Sequence, residues 1–278
     1  MQADFREHRM KRFLIVFGLM MVLAACSSFD KVQKSDDAEK KFQMGKNFYL
    51  EKKYTKSIML FESVVPSFRG MPQAEDVLFL LACSYMQTND YLAASEYFDT
   101  YIRNFPRGKF AEDSHYLIAR CFYLDSPDVR LDQTATENAI YSFSEYIELY
   151  PAGSHVDDSF KCITEMENKL AQKAFLSAQL YYNLGLYGGN NYRACVVTAE
   201  NMLKEYPDSP YREEAVFLIL KSKYKEAVLS IEAKRYDRFS EVVDEYYRYA
   251  NEFPNGKFIK EANKMMKDAR KVVGSIEG

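Results

Sequence analysis

The residue best placed for chemistry is Cys26. It follows Leu23-Ala24-Ala25 at the end of an uncharged run from Phe13 to Ala25, itself preceded by Arg6, Arg9, Lys11 and Arg12. A thiol is the most nucleophilic side chain available for covalent modification. The other cysteines, Cys83, Cys121, Cys162 and Cys195, form no CxxC pair. Each falls at an apolar position of a helical pattern, so buried free thiols are expected although an exported chain could form disulfides. Beyond His8 only His115 and His155 remain, too few for a zinc-ligand pattern. GxSxG, HExxH and P-loop sequences are absent, and Gly188-Gly189 lacks the Lys and Ser/Thr of a phosphate cradle. The acidic pairs Glu112-Asp113, Asp157-Asp158 and Glu213-Glu214 are neighbours that share no helix face. They read as charges favoured by the dipole of a helix start. No catalytic residue, metal or cofactor is expected, which makes the chain a binder or scaffold and not an enzyme.

The segment before Cys26 has to be set aside before the fold is read. Its apolar run of 13 residues is short of the ~20 a membrane-spanning helix needs. Leu-Ala-Ala-Cys resembles the bacterial lipobox, which implies a covalent lipid on Cys26, so residues 1–25 read as a lipoprotein signal peptide, starting at Met1 or at Met10. The chain holds 37 basic and 40 acidic residues; the leader takes four and two of them, leaving 33 and 38 and a net charge of −5. A nucleic-acid binder would show a basic bias, and this chain does not. No second apolar run suggests a membrane span. Residues 26–35 lack an apolar period and read as a lipidated tether.

What must position everything else is a repeat. An aromatic-Pro turn followed by an acidic helix start occurs at Phe105-Pro106-Arg107-Gly108, Tyr150-Pro151-Ala152-Gly153, Tyr206-Pro207-Asp208-Ser209 and Phe253-Pro254-Asn255-Gly256. Pro ends one helix and Gly permits the turn. Apolar residues precede each Pro at helical spacing, such as Tyr91, Ala94, Phe98 and Ile102 before Pro106. An earlier copy has Tyr54, Ser57, Phe61 and Val65, with Arg69 at the Pro position. In the first helix of each unit a small residue precedes an aromatic by three: Gly45 and Phe48, Ala82 and Tyr85, Ala119 and Phe122. This pattern resembles the tetratricopeptide repeat. It predicts an all-α superhelical solenoid over residues 36–273, with five helix-turn-helix repeats near 38–70, 74–107, 111–152, 159–208 and 212–255 and a last helix at 257–273. Such a solenoid offers a concave face suited to peptide segments. Phe48, Tyr49, Tyr85 and Tyr91 are the candidate groove residues. Tyr181, Tyr182, Tyr187, Tyr211, Tyr224, Tyr247 and Tyr249 are further aromatics that the repeat does not require.

A lipobox, a short tether and five such repeats together resemble the BamD lipoproteins of the outer-membrane protein assembly machinery. The likeness covers about Lys34 to Val273 and is sharpest in Met202-Leu203-Lys204-Glu205-Tyr206-Pro207-Asp208-Ser209. The resemblance implies a protein on the periplasmic face of the outer membrane, held by its lipid. It implies two partners: the periplasmic domains of a BamA-type barrel insertase, and unfolded outer-membrane proteins. Only Cys26 is carried over as a functional residue. Other periplasmic repeat adaptors of the envelope or of cell division, and glycan-binding lipoproteins of the SusD type, are the alternatives. The latter are larger and have Trp-rich sugar sites, whereas this chain has no Trp.

Overall fold

The computed structural model describes residues 29–274, and among them all regular structure is helical. A short helix α1 covers residues 29–33. It is followed by α2 (Ala38–Leu50), α3 (Tyr54–Val64), α4 (Gln73–Gln87), α5 (Tyr91–Asn104), α6 (Ala111–Asp125) and α7 (Thr134–Leu149). Then come α8 (Val156–Leu184), α9 (Asn191–Glu205), α10 (Arg212–Val228), α11 (Glu232–Glu252) and α12 (Ile259–Val273). No helix among the described residues is long and apolar enough to cross a membrane.

The boundaries follow local chemistry. Asp37, Asp90 and Asn190 cap α2, α5 and α9 by accepting from the backbone N–H three residues on. The turn inside a repeat needs a left-handed residue: Lys52 (φ 59°) before α3, Asn89 (φ 62°) before α5 and Gly185 (φ 57°) before α9. At the end of the first repeat, where Arg69 replaces Pro, a 3-10 turn over Val65–Phe68 contains Pro66 instead.

The chain divides into two compact units. Among the described residues, one holds 29–125 and Glu145–Val156; the other holds Ser126–Ser144 and 157–274. In the first, Leu60, Phe61, Leu81, Ala82, Phe98 and Tyr101 are fully buried. Gly45 is needed for close approach there, because a Cβ would lie 2.7 Å from Cε1 of Phe61. In the second, Ala178, Cys195, Ala199, Ile219, Leu220 and Val242 are fully buried. Its lengthened turn, residues 126–133, is wrapped around the buried Gln133, whose amide donates to the carbonyls of Asp128 (2.9 Å) and Leu131 (3.2 Å). Lys169 and Lys173 of α8 hold that turn through Ser126 and the Leu131 carbonyl, both at 2.6 Å.

The expected tether over 26–35 is in part a packed element. Phe29 and Val32 of α1 are buried against Leu60, Met44 and Phe48. Phe29 and Val32 are its only buried positions among the described residues, and one three-residue spacing is too short to register as a period, which is why the sequence reads as a linker there. Cys83 is half-buried; Cys121, Cys162 and Cys195 are buried, and none of the four is in a disulfide.

Candidate functional site

The turns between repeats are built as side-chain clasps. Tyr101, five residues before Pro106, donates its hydroxyl to Oε2 of Glu75 at 2.9 Å and accepts from the Phe110 N–H at 3.0 Å. The same Glu75 oxygen accepts from the Lys109 N–H at 3.2 Å. Tyr146 repeats this with Glu112 (3.0 Å), while Ser154 N–H donates to Glu112 and His155 N–H to Tyr146. Tyr249 repeats it with Glu213 (2.9 Å), with N–H donors from Lys257 and Phe258. Burial first, then the neighbouring carboxylate, pushes the phenols of Tyr101 and Tyr249 up to about 12, so both remain donors at neutral pH. Gly108, Gly153 and Gly256 are required because a Cβ at each would collide with the tyrosine hydroxyl.

Each clasp also aligns the first helices of successive repeats. Phe79 stacks on Phe110 at 4.1 Å, Tyr116 on His155 at 4.0 Å and Phe217 on Phe258 at 4.4 Å. The other two repeats lack the polar trio altogether. Counting from Arg69, the first has Ala38, Val64 and Met71 in the three places; the fourth has Ala171, Met202 and Ser209. Phe175 still stacks on Tyr211 in the fourth. The glutamate, tyrosine and glycine therefore occur together or are all absent.

Of the candidate groove residues, all four are half-buried in the first unit. Phe48 meets the edge of Phe29 at 5.6 Å. Tyr49 packs edge-on to Tyr54, and burial beside Cys83 and Tyr54 pushes its phenol up to about 12. Tyr85 stacks on Tyr97 at 5.4 Å and donates to Glu62 at 2.5 Å; burial, followed by that carboxylate, raises its pKa. Tyr91 donates to Asn89 at 2.8 Å. Tyr49 and Cys83 bring α2 and α4 together, whereas Phe48 turns toward α1. Leu23, Ala24, Ala25 and Cys26 lie outside the described residues. Tyr249, read as surplus to the repeat, is a fully buried clasp residue.

The second unit has an edge that sequence periodicity did not single out. Tyr187 (82 % exposed) and Leu186 project from the α8–α9 loop, and Leu229 and Ile231 (67 % exposed) from the α10–α11 turn. Asn190 donates to Glu226 at 2.8 Å and Arg238 to Ser230 at 2.6 Å, which draws the two turns to one edge. Beneath it lies a charged depression of about 300 Å³, lined by Arg193, Glu200, Lys223, Glu226, Arg238 and Glu241. Next to that depression Glu245, 5 % exposed, takes Lys223 at 2.8 Å and Arg248 at 3.1 Å. Glu245→Ala should cost about 2–4 kcal/mol by leaving Lys223 unpaired. The denaturant midpoint checks this, and Lys223→Met in the same chain should restore much of the loss. Among the described residues no cluster of three or more His, Cys, Asp or Glu could hold a metal ion.

Paired helices joined by aromatic-Pro turns, with a small residue seated against the partner helix, define an all-α tetratricopeptide-repeat protein. The model of the YfiO family, described as outer membrane lipoprotein, matches residues 34–187. That is more than half of the chain, and the chain belongs to this family. The outer membrane protein assembly factor BamD of Caulobacter vibrioides is 24 % identical over 158 residues, covering 57 % of this chain and 50 % of that one. The match thus spans half the length of that relative. The putative outer membrane protein assembly factor BamD of Aquifex aeolicus is 24 % identical over 240 residues, 86 % of this chain and 74 % of that one. Among solved structures, the TPR2AB domain–pHSP90 complex of yeast Sti1 matches at 14 % identity and a TM-score of 0.38, covering 84 % of this chain and 98 % of that one. The apo form of RapI matches at 16 % and 0.35, covering 94 % and 96 %. At those scores the fold assignment rests on this chain's own helices.

Proposed function

We propose that this protein is a lipid-anchored scaffold on the periplasmic face of the outer membrane, working in the assembly of β-barrel proteins. The observation that carries this reading is membership of an outer-membrane lipoprotein family, joined to two relatives named as assembly factors. In this reading Cys26 bears the lipid, and several acyl chains hold the protein permanently where one would hold it weakly. The second unit docks the periplasmic domains of a BamA-type insertase through the edge formed by Leu186, Tyr187, Leu229 and Ile231. An exposed apolar patch rimmed by charge is the usual form of a protein-docking surface. The first unit receives unfolded barrel segments at half-buried aromatics such as Tyr49, where rigid rings with polar tips suit extended chains.

Affinity purification of the tagged protein from detergent-solubilised envelope tests the proposal. A large β-barrel protein with periplasmic domains should be recovered at near-equal amounts, with unfolded barrel chains in smaller quantity. Recovery of only division or transport proteins would overturn it.

A further inference from the structure

The N-terminal helix reaches the first repeat at one particular end. Phe29 lies against Phe48 in the last turn of α2, and Val32 continues along the pair toward Leu60. Lys56, in the first turn of α3, sits over both rings, 5.2 Å from Phe29 and 5.5 Å from Phe48. Lys53 lies 5.8 Å from Phe48. The chain therefore enters the fold at the α2–α3 turn. Cys26 is three residues before Phe29, so its Cα lies at most ~11 Å from the Cα of that buried residue. A lipid on Cys26 cannot sit in a bilayer while this turn stands far from it.

The turn has the composition of a surface that meets a membrane. Leu50 is 76 % exposed at its tip. Lys52 and Lys53 beside it are exposed, as is Lys31 of the adjoining α1, and Glu51 is engaged with Lys53 at 2.7 Å. Residues 29–56 hold eight lysines and five acidic residues, a net of three positive charges. Residues 57–278 hold 25 basic and 33 acidic residues, a net of eight negative ones. Long lysine stems over apolar rings keep their ammonium groups outward, as at an interface between water and hydrocarbon. Clustered lysines beside a lipid anchor are drawn to anionic headgroups.

We propose that the α2–α3 turn is a docking surface for an anionic lipid bilayer, which seats the first repeat on the membrane beside the lipidated Cys26. The proposal rests on the lipidation read above. Leu50 enters the headgroup region, Lys31, Lys52 and Lys53 meet anionic headgroups, and α1 acts as a short rigid strut.

The absence of Trp from the chain makes a single-emitter test possible. Lipidated full-length mature protein carrying Leu50→Trp is reconstituted into phosphatidylethanolamine–phosphatidylglycerol vesicles that include bromine-labelled acyl chains. Its emission should shift to the blue and be quenched. Met71→Trp, exposed beyond the opposite end of α3, should keep the emission of a solvent-exposed indole. Adding Lys31→Glu, Lys52→Glu and Lys53→Glu should abolish the quenching of Leu50→Trp while flotation with the vesicles persists. Flotation with an unquenched Leu50→Trp overturns the docking surface and leaves the anchor standing. Failure to float, with Cys26→Ser behaving the same, overturns the anchor and the proposal with it. Shielding of Leu50→Trp in native envelope but not in lipid alone would assign the surface to a protein and also overturn the proposal.

Discussion

Gly153→Ser should destabilise the protein by about 2–4 kcal/mol, and the same substitution made together with Glu112→Ala and Tyr146→Met should recover more than half of that loss. The added Cβ would collide with the Tyr146 hydroxyl and lie 2.8 Å from Oε1 of Glu112 and 3.0 Å from the Tyr150 carbonyl oxygen. Tyr146 is fully buried and cannot yield. Glu112→Ala alone should cost about 1–3 kcal/mol, since the buried phenol loses its acceptor and the Ser154 N–H loses its own. The triple variant reproduces the arrangement of the fourth repeat, where Ala171, Met202 and Ser209 occupy these places and Ser209 is buried, its hydroxyl accepting from the Tyr211 N–H. Chemical denaturation followed by helical circular dichroism reads the effect; about 2–4 °C in thermal midpoint accompanies each kcal/mol in a chain of this size. Losses that simply add across the three positions would show that they do not act as one clasp.

The clasp also marks where sequence reading stops. Pro106, Pro151, Pro207 and Pro254 are legible because a proline's effect is local: the ring removes a donor and clashes one turn back. The apolar positions before them are legible because helical spacing repeats within a dozen residues. Glu75 and Tyr101 are 26 residues apart, and Glu112 and Tyr146 are 34 apart. No local period links residues so distant. In the sequence Glu112 and Glu213 therefore look only like charges at helix starts, although each accepts from a buried phenol and a turn N–H. A signal was present: Tyr five residues before Pro occurs with Gly two residues after it at Pro106, Pro151 and Pro254, and both are missing at Pro207. Phe29 is illegible for the opposite reason: it and Val32 are the only buried positions of α1 among the described residues, too few to show a period. The candidate site was the least legible part. Aromatic type marked Tyr49 and Tyr187 equally, yet one is half-buried beside Cys83 and the other is almost wholly exposed. Only burial and the Asn190–Glu226 bond, made in three dimensions, separate them.

Leu186→Asp, Tyr187→Asp and Ile231→Asp combined should lower recovery of the insertase by about tenfold or more while leaving helix content and denaturant midpoint unchanged. The three side chains are already exposed, so charging them removes no core contact. Each would carry a carboxylate into an interface whose apolar centre has no partner for it, and desolvating an unpaired charge is costly. The charged depression beneath the edge supplies the comparison. Arg193 and Glu200 line it near the solvent, and reversing them should change the salt dependence of association more than its strength, because exposed charges mainly steer encounter. If the triple-Asp variant recovers the insertase as well as the native chain does, this edge is not its docking surface. If Arg193→Glu and Glu200→Lys instead abolish recovery at every salt concentration, the depression itself is the interface centre, and the apolar edge belongs to another contact.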